Sequence, residues 1–485
     1  MHARELIKNV KLTALIIALA SLFLLSPIAG FAENEEEVKI SIRSNEYVFP
    51  PSEFHGTKEY PDIIIVENRY LRVEVLPNRG LLLWKLTSKL TGNEFLYYNS
   101  RPLPYLDELT NTYCLEFGGY YLEFPWNKRD NQPVMLSYEI VEKGPERVVI
   151  YLYGEEIETK FRIEAWLMID KWSPGVHFKI NITNLSGKDS YFVFADRIVI
   201  STPLEETSII LPTNFIEIVF SKNDWLGAKG TELPWPHPIS SLDNFEAPAA
   251  FSTKLNATYI AIMNARNGEA LITYWKSPTP PTILIKNFGK EYEDYRFDKP
   301  VTYLHTKGED KMLGARESAI AEVHFYILQN LEKIQLASEY AAGYIHVENA
   351  TYTIGDEVKA KLKISTFYPE KEVKAILRLY NQENVLVKEI GEVTIGDLEP
   401  GRAILKDLSF KIEGIEPGRY LLIINVFSKD RHLLYLTDSL ELIQKFQPPL
   451  QLSTTILIFA ILAVIIAVTS FLILYRLKRR SHAKA

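Results

Sequence analysis

The sequence predicts an all-β protein: a large antiparallel β-sandwich, a second and smaller β-sandwich, and one apolar helix near the C-terminus. Three observations predict it. From Val134 to Ile200 apolar and polar residues alternate almost without interruption, and no run has the helical period. After Gly343, short strand-like runs recur at intervals of roughly ten residues, each closed by a turn signal. From Leu452 to Tyr475 the chain carries no charge.

The large sandwich opens at Asn68. Leu71, Val73 and Val75 alternate with Arg72, Glu74 and Leu76, the period of a half-buried strand. Pro77-Asn78-Arg79-Gly80 reads as a tight turn in which Gly80 is free to take a positive φ. Leu81–Leu86 returns as a second strand, Lys89–Glu94 turns, and Phe95–Tyr98 is expected as a third. Glu33–Pro61, ahead of this stretch, reads as a leader strand or two. Further on, Tyr138–Val141 and Arg147–Leu152 flank a Lys143-Gly144-Pro145 turn, a hairpin signature. Thr159–Ile169 and Val176–Ile182 alternate along their length, which places His177, Lys179 and Asn181 on a polar, solvent-facing side. Leu233–Pro238 holds three prolines and cannot be a central strand, because each proline removes a ladder donor. Asn267-Gly268 marks another hairpin, Ala319–Leu328 closes the sandwich, and Leu331–Ala342 is expected as a short amphipathic helix.

Residues 343–446 form the second unit, with strands expected at Val358–Ser365, Val373–Tyr380, Val385–Ile390, Ala403–Ile412, Tyr420–Phe427 and Leu433–Ile443. That rhythm suggests an immunoglobulin-like sandwich. Residues 447–451 link it to the apolar run.

The two ends set the expected address. Residues 1–32 show a basic start (Arg4, Lys8, Lys11), an uncharged core from Leu12 to Leu25 and a small-residue region to Ala32, the pattern of a signal peptide. Leu452–Tyr475 is about 24 residues, enough for a tilted helix across a hydrocarbon core of roughly 30 Å. The basic tail 476–485 (Arg476, Lys478, Arg479, Arg480, Lys484) marks a cytoplasmic side, so residues 33–451 are expected outside a single-pass membrane anchor. The whole chain has 54 Lys and Arg against 61 Asp and Glu. Without the leader (three basic, one acidic) and the tail (five basic), the exterior holds 54 − 8 = 46 against 61 − 1 = 60, a net charge of −14. An acidic exterior argues against nucleic acid or anionic lipid headgroups as partners. Cys114 is the only cysteine, so no intramolecular disulfide forms.

The order "N-x-x-L-x-V-x-V-x-P" at Asn68–Pro77, a glycine turn, then "K-x-T-G-x-E-x-x-Y" at Lys89–Tyr97 resembles the opening of galactose-mutarotase-like domains, a β-supersandwich family associated with carbohydrates. Gly118-Gly119, four residues, then Phe124-Pro125 matches a second pattern of that family, with Tyr121 at its usual acidic position and Glu123 two residues on. The resemblance implies a carbohydrate ligand, and in true epimerases a histidine acid and a glutamate base that open the pyranose ring. Here Asp189, ahead of Ser190-Tyr191-Phe192, stands where one family histidine would be, and the expected Arg-and-His segment before Gly118 is missing. A non-catalytic binder is therefore the expectation.

A sugar site wants an aromatic face and one or two polar groups beside it. Trp235 and His237, in a proline-stiffened loop, supply that combination together with Trp225, and Trp126 and Glu123, near the Gly118-Gly119 turn, are further candidates. A core lid is the alternative reading for Trp235. Glu291, Glu293, Asp294 and Asp298 form an acidic loop read as solvated. No cofactor motif and no metal-ligand spacing is present. Asn181, Asn184, Asn256 and Asn349 each begin an N-x-S/T sequon and are candidates for glycosylation, Asn181 first. The expected function is carbohydrate binding at a membrane-anchored cell surface. A glycan-active epimerase, lyase or hydrolase, or a structural envelope component, are the alternatives.

Overall fold

The structure, a computed structural model, describes residues 37–44, 61–99, 104–107, 112–115, 117–123, 134–201, 206–276, 281–289, 301–429, 431–444 and 454–482. Two antiparallel sheets face each other. The eleven-stranded one runs, edge to edge, through Lys39–Arg43, Ile63–Glu67, Leu71–Leu76, Leu81–Ser88, Tyr120–Leu122, Ser190–Ile200, Thr302–Leu313, Thr282–Asn287, Ala249–Lys254, Phe215–Ser221 and Glu232–Pro234. The eight-stranded one runs through Thr207–Ile210, Tyr259–Asn264, Glu269–Trp275, Ser318–Gln329, Gly175–Asn184, Phe161–Asp170, Arg147–Glu156 and Ser137–Lys143. The expected alternation decides which side chains meet. Leu152, Ala165 and Ile180 lie in register across three strands of the smaller sheet and are buried against the larger. Burial of such aliphatic faces, at about 25 cal/mol per Å², is the main force holding the sheets together.

The opening stretch folds as its sequence reads. Pro77–Arg79 is one turn of 3₁₀ helix, and Gly80 closes it at φ 68°. Asn68 explains the first letter of its motif. Its Oδ1 accepts from the Tyr70 and Leu71 amides, and its Nδ2 donates to the Asp170 and Ser173 carbonyls, which ties the two sheets at one end. The third expected strand is absent as a ladder: Phe95–Tyr98 makes only the isolated bridges Leu96 to Ile200 and Tyr98 to Gly118. Gly118 and Gly119 take φ near 80°, and a Cβ at either would stand 2.1 Å from the Tyr97 carbonyl oxygen or 2.2 Å from that of Leu83. Only glycine allows this approach. It lets Tyr120–Leu122 slot between Leu81–Ser88 and Ser190–Ile200.

The second sandwich pairs a four-stranded sheet (Leu336–Ala337, Ala341–Val347, Glu357–Thr366, Ile404–Lys411) with a five-stranded one (Thr351–Thr353, Arg431–Ile443, Gly418–Ser428, Glu370–Tyr380, Leu386–Leu398) around its own core. The helix expected at 331–342 does not form. Leu331, Ile334 and Ala337 have helical spacing, yet they are buried in an apolar cluster that joins the two sandwiches, and Ser338 turns the chain into a tight hairpin. An extended segment threading between two bodies buries every third residue as readily as a helix does.

Thr454–His482 is one continuous α-helix, long and apolar enough to cross a membrane, and its described side chains from Ile458 to Arg476 are exposed throughout. Residues 1–32, read from sequence as a signal peptide, the expected linker at 447–451, Trp126 and the acidic loop 291–298 lie outside the described residues.

Candidate functional site

The alternation along Ser190–Ile200 sends Asp196 and Ile198 toward the shared core and Arg197 to the opposite, outward face of the large sheet. Arg197 lies in register with Tyr121 on one side and His305 on the other, and Glu123, two residues past Tyr121, shares their face. The Arg197 guanidinium pairs with Glu123, its Nη1 donates to the Tyr121 hydroxyl at 2.7 Å, and its Nε lies 3.2 Å from His305 Nδ1. The same Nδ1 is 3.0 Å from Glu123 Oε2. A proton on Nδ1 therefore serves the carboxylate, and without it the nitrogen accepts from the guanidinium. Tyr121 and Tyr303 flank the cation, their ring centres 5.4 and 5.6 Å from Arg197 Cζ, and Lys286 lies in register with Tyr303.

These charges are nearly dry, with side-chain exposures of 10% for Glu123, 5% for Arg197 and 11% for His305. Burial pushes the Glu123 carboxyl up, but Arg197 and then His305 outweigh it and hold it down at about 2. Burial pushes His305 below its ordinary value in spite of the carboxylate, so the ring is neutral at pH 7. Beneath the sheet, Asp196 accepts from Trp275 Nε1 at 3.0 Å, from the Tyr120 hydroxyl at 3.2 Å and from the Thr306 hydroxyl. Burial with no cation beside it raises Asp196 to about 6, against the pull of those donors. On the outward face, an aromatic cluster of Trp84, Phe117 and Tyr121, with Tyr98 packed against it, borders the charged group. The result is a buried, preorganised acid-base pair clamped by a guanidinium, with aromatic rings at its edge.

Among the described residues, Glu123 is the only one singled out from sequence that lies in this cluster. Trp235 is buried on the core side of the sheet, its ring 5.8 Å from Phe251, which is the lid arrangement. Trp225 packs edge-on to Phe245 at 6.1 Å, and its indole N–H is buried with no hydrogen-bond partner among the described residues. His237 is half-buried, and its Nδ1 accepts from the Ile239 amide at 3.4 Å to cap the turn Pro238–Ser240. The Trp225, Trp235 and His237 loop therefore lies at the sheet edge formed by Glu232–Pro234, apart from Glu123. Asp189 is exposed in the turn before Ser190–Ile200, eight positions from Arg197 along that strand.

Two further expectations are corrected. His177 is buried rather than solvent-facing, because the second sandwich covers this part of the polar face. Asn184 is fully buried and its amide nitrogen donates to the carbonyls of Lys188, Leu313 and Gly314, so it is no glycan acceptor in the folded protein. Asn181 is half-buried and donates to Glu164, while Asn256 and Asn349 are exposed. Sequence reasoning missed Arg197 and His305. The signal was there: Asp196-Arg197 interrupts an apolar central strand, and Tyr303, His305 and Lys307 share one face of the next.

No protein-family model matches the chain, and no curated protein matches it. Among solved structures it is similar to a TPR-domain containing protein from Parabacteroides distasonis, at 12% identity and a TM-score of 0.47, over 60% of this chain and 53% of that one. It is also similar to a galactose mutarotase-like protein from Clostridium acetobutylicum (10% identity, TM-score 0.40, 60% of this chain and 99% of that one). A third is a galactose mutarotase related enzyme from Lactobacillus acidophilus (12%, 0.37, 56% and 100%). Identities and scores this low carry no argument about activity.

Proposed function

We propose that this chain is a membrane-anchored surface protein that binds a carbohydrate at the outward face of its large sheet, around Glu123, Arg197 and His305. The observation that carries the reading is the Glu123–Arg197 ion pair with the neutral His305 beside it, held dry between Tyr121 and Tyr303 on a sheet face outside the main core. Vicinal hydroxyls match a carboxylate and a guanidinium held side by side, and aromatic faces match pyranose C–H surfaces. In this reading the second sandwich is an immunoglobulin-like spacer, whose Thr351–Thr353 strand runs parallel to its last strand, and Thr454–His482 is the anchor. Titration of an oligosaccharide panel into the full-length protein in detergent tests it. Binding is expected, and Glu123→Gln should weaken it at least tenfold; a panel that binds nothing, or binds Glu123→Gln equally, overturns the reading.

A second reading, a glycan-active enzyme, is favoured by one observation: His305 Nδ1 stands 3.0 Å from a carboxylate that stays ionised, an arrangement suited to moving a proton. Polarimetry on free aldoses separates the two. Mutarotation above the spontaneous rate that disappears in His305→Gln favours the enzyme.

A further inference from the structure

The outward face of the eight-stranded sheet carries two histidines that no sugar site uses. His177 and His324 are cross-strand partners, their Nδ1 atoms 2.9 Å apart and their rings edge to face at 4.7 Å. The Tyr326 hydroxyl is 3.0 Å from His324 Nδ1, and the Tyr368 hydroxyl, from the second sandwich, is 3.2 Å from His177 Nε2. Next to them Phe367 stacks on Tyr326 at 3.8 Å with an interplanar angle of 7°. The Phe367-Tyr368 turn thus seats the second sandwich directly on the histidine pair. Backbone bonds five residues further along the strand from His324 complete the junction: the Gln329 amide donates to the Gly401 carbonyl at 2.7 Å and the Ala403 amide to the Gln329 carbonyl at 2.9 Å.

Two Nδ1 atoms at this distance hold one proton between them. A further proton therefore goes to an Nε2 atom and leaves a cation in this buried seam, where His177 Nε2 faces the Tyr368 hydroxyl at 3.2 Å. The surrounding charges do not remove the conflict. On the sheet, Glu322 is 3.9 Å from His324 Nε2 but is met by Lys276 at 3.8 Å and lies in register with Lys179. From the segment between the sandwiches comes Glu339, which Lys276 also meets, at 3.7 Å. Arg147, paired with Asp170, adds positive charge on the His177 side, and Tyr274, Tyr326 and Tyr368 contribute neutral rings. Burial is the largest influence on both imidazoles, pushing His177 down to about 3 and His324 to about 4.

The geometry points to an acid-sensitive junction: proton uptake by the His177–His324 pair frees the Phe367-Tyr368 turn, and with it the second sandwich, from the first in mildly acidic solution. The sign follows from linkage. Opened histidines take up protons below about pH 6.5 and packed ones resist, so closure is complete above that pH and weakens as the pH falls toward 4. Each histidine contributes up to tenfold per pH unit to the opening constant.

Hydrogen exchange on the full-length chain in detergent, corrected for intrinsic rates, reads this at the Gln329 and Ala403 amides, with Ala165 in the sheet centre as reference. Between pH 6 and 4.5 opening at Gln329 and Ala403 should rise at least tenfold per unit while Ala165 holds. In the double variant His177→Gln, His324→Gln the slope should vanish. If that variant does not fold, His324→Gln alone should show a clearly shallower slope. Flat wild-type protection overturns the proposal. So does an unchanged slope in the histidine variants.

Discussion

Two outward faces of the large sandwich bury charge-bearing residues, and they do so in opposite ways. Around Arg197 the charges are kept and paired: a guanidinium and a carboxylate offset each other, and a neutral imidazole bridges them. Around His177 the charges are removed, and two imidazoles stay neutral beneath a tyrosine of the second sandwich. A paired cluster keeps its polarity for a ligand that can match it, which is what a binding site needs. A neutralised cluster is a packing surface, polar in sequence and apolar in use. The same strand pattern produced both, so the difference lies in what sits across from each face.

That contrast can be broken at its largest effect by Gly118→Ala. A methyl group placed 2.1 Å from the Tyr97 carbonyl, at positive φ, would push Tyr120–Leu122 out of the sheet. A loss of on the order of 4 kcal/mol in denaturant unfolding, or failure to fold, is expected. A fully stable variant would mean that the strand bearing Glu123 does not depend on this turn.

Arg197→Met comes next. It leaves Glu123 buried without its cation and should cost about 3–5 kcal/mol, most of which Glu123→Gln in the same chain should restore. Additive losses in that double-mutant cycle would show that the pair is not the unit described here.

Trp235→Ala sharpens the comparison from the other candidate loop. The ring is a core contact of Phe251, so a stability loss of about 3 kcal/mol is expected, with glycan affinity per folded molecule unchanged.

The smallest effect is electrostatic. Asp196 is raised to about 6 in the folded state, above its ordinary 3.8, so its contribution to stability is present below about pH 4 and is lost as the pH rises through 6. Relative to Asp196→Asn, the wild type should lose about 1 kcal/mol per pH unit across that window. A pH-independent difference between the two would mean that the carboxyl is ionised throughout.

Strand alternation made most of the fold legible. It placed four of the five strands between Ser137 and Ile200 and the rhythm of the second sandwich, because period-two burial is a local property of the chain. It failed where burial is decided by something distant in sequence. His177 alternates like a surface residue, yet Tyr368 lies on it from 191 positions away. Leu331, Ile334 and Ala337 repeat like a helix, yet they line the seam between two bodies. At the site, a resemblance in the spacing after the glycine pair led to Glu123, and the close backbone approach at Gly118 and Gly119 gives that pair its physical reason. Arg197 and His305 come from two other strands, and only the sheet order brings them to the carboxylate. Trp235 and His237 drew notice as an aromatic and a histidine among prolines, a composition that a rigid core lid shares with a sugar platform.

The most direct test of the account sets the two candidate loops against each other. Whichever oligosaccharide binds tightest is titrated calorimetrically into the full-length wild type, His305→Gln and Trp235→Phe. At least a tenfold loss of affinity in His305→Gln with Trp235→Phe unchanged is the predicted result. Wild-type affinity in His305→Gln, or a loss confined to Trp235→Phe, would contradict it and move the site to the proline-rich edge of the sheet.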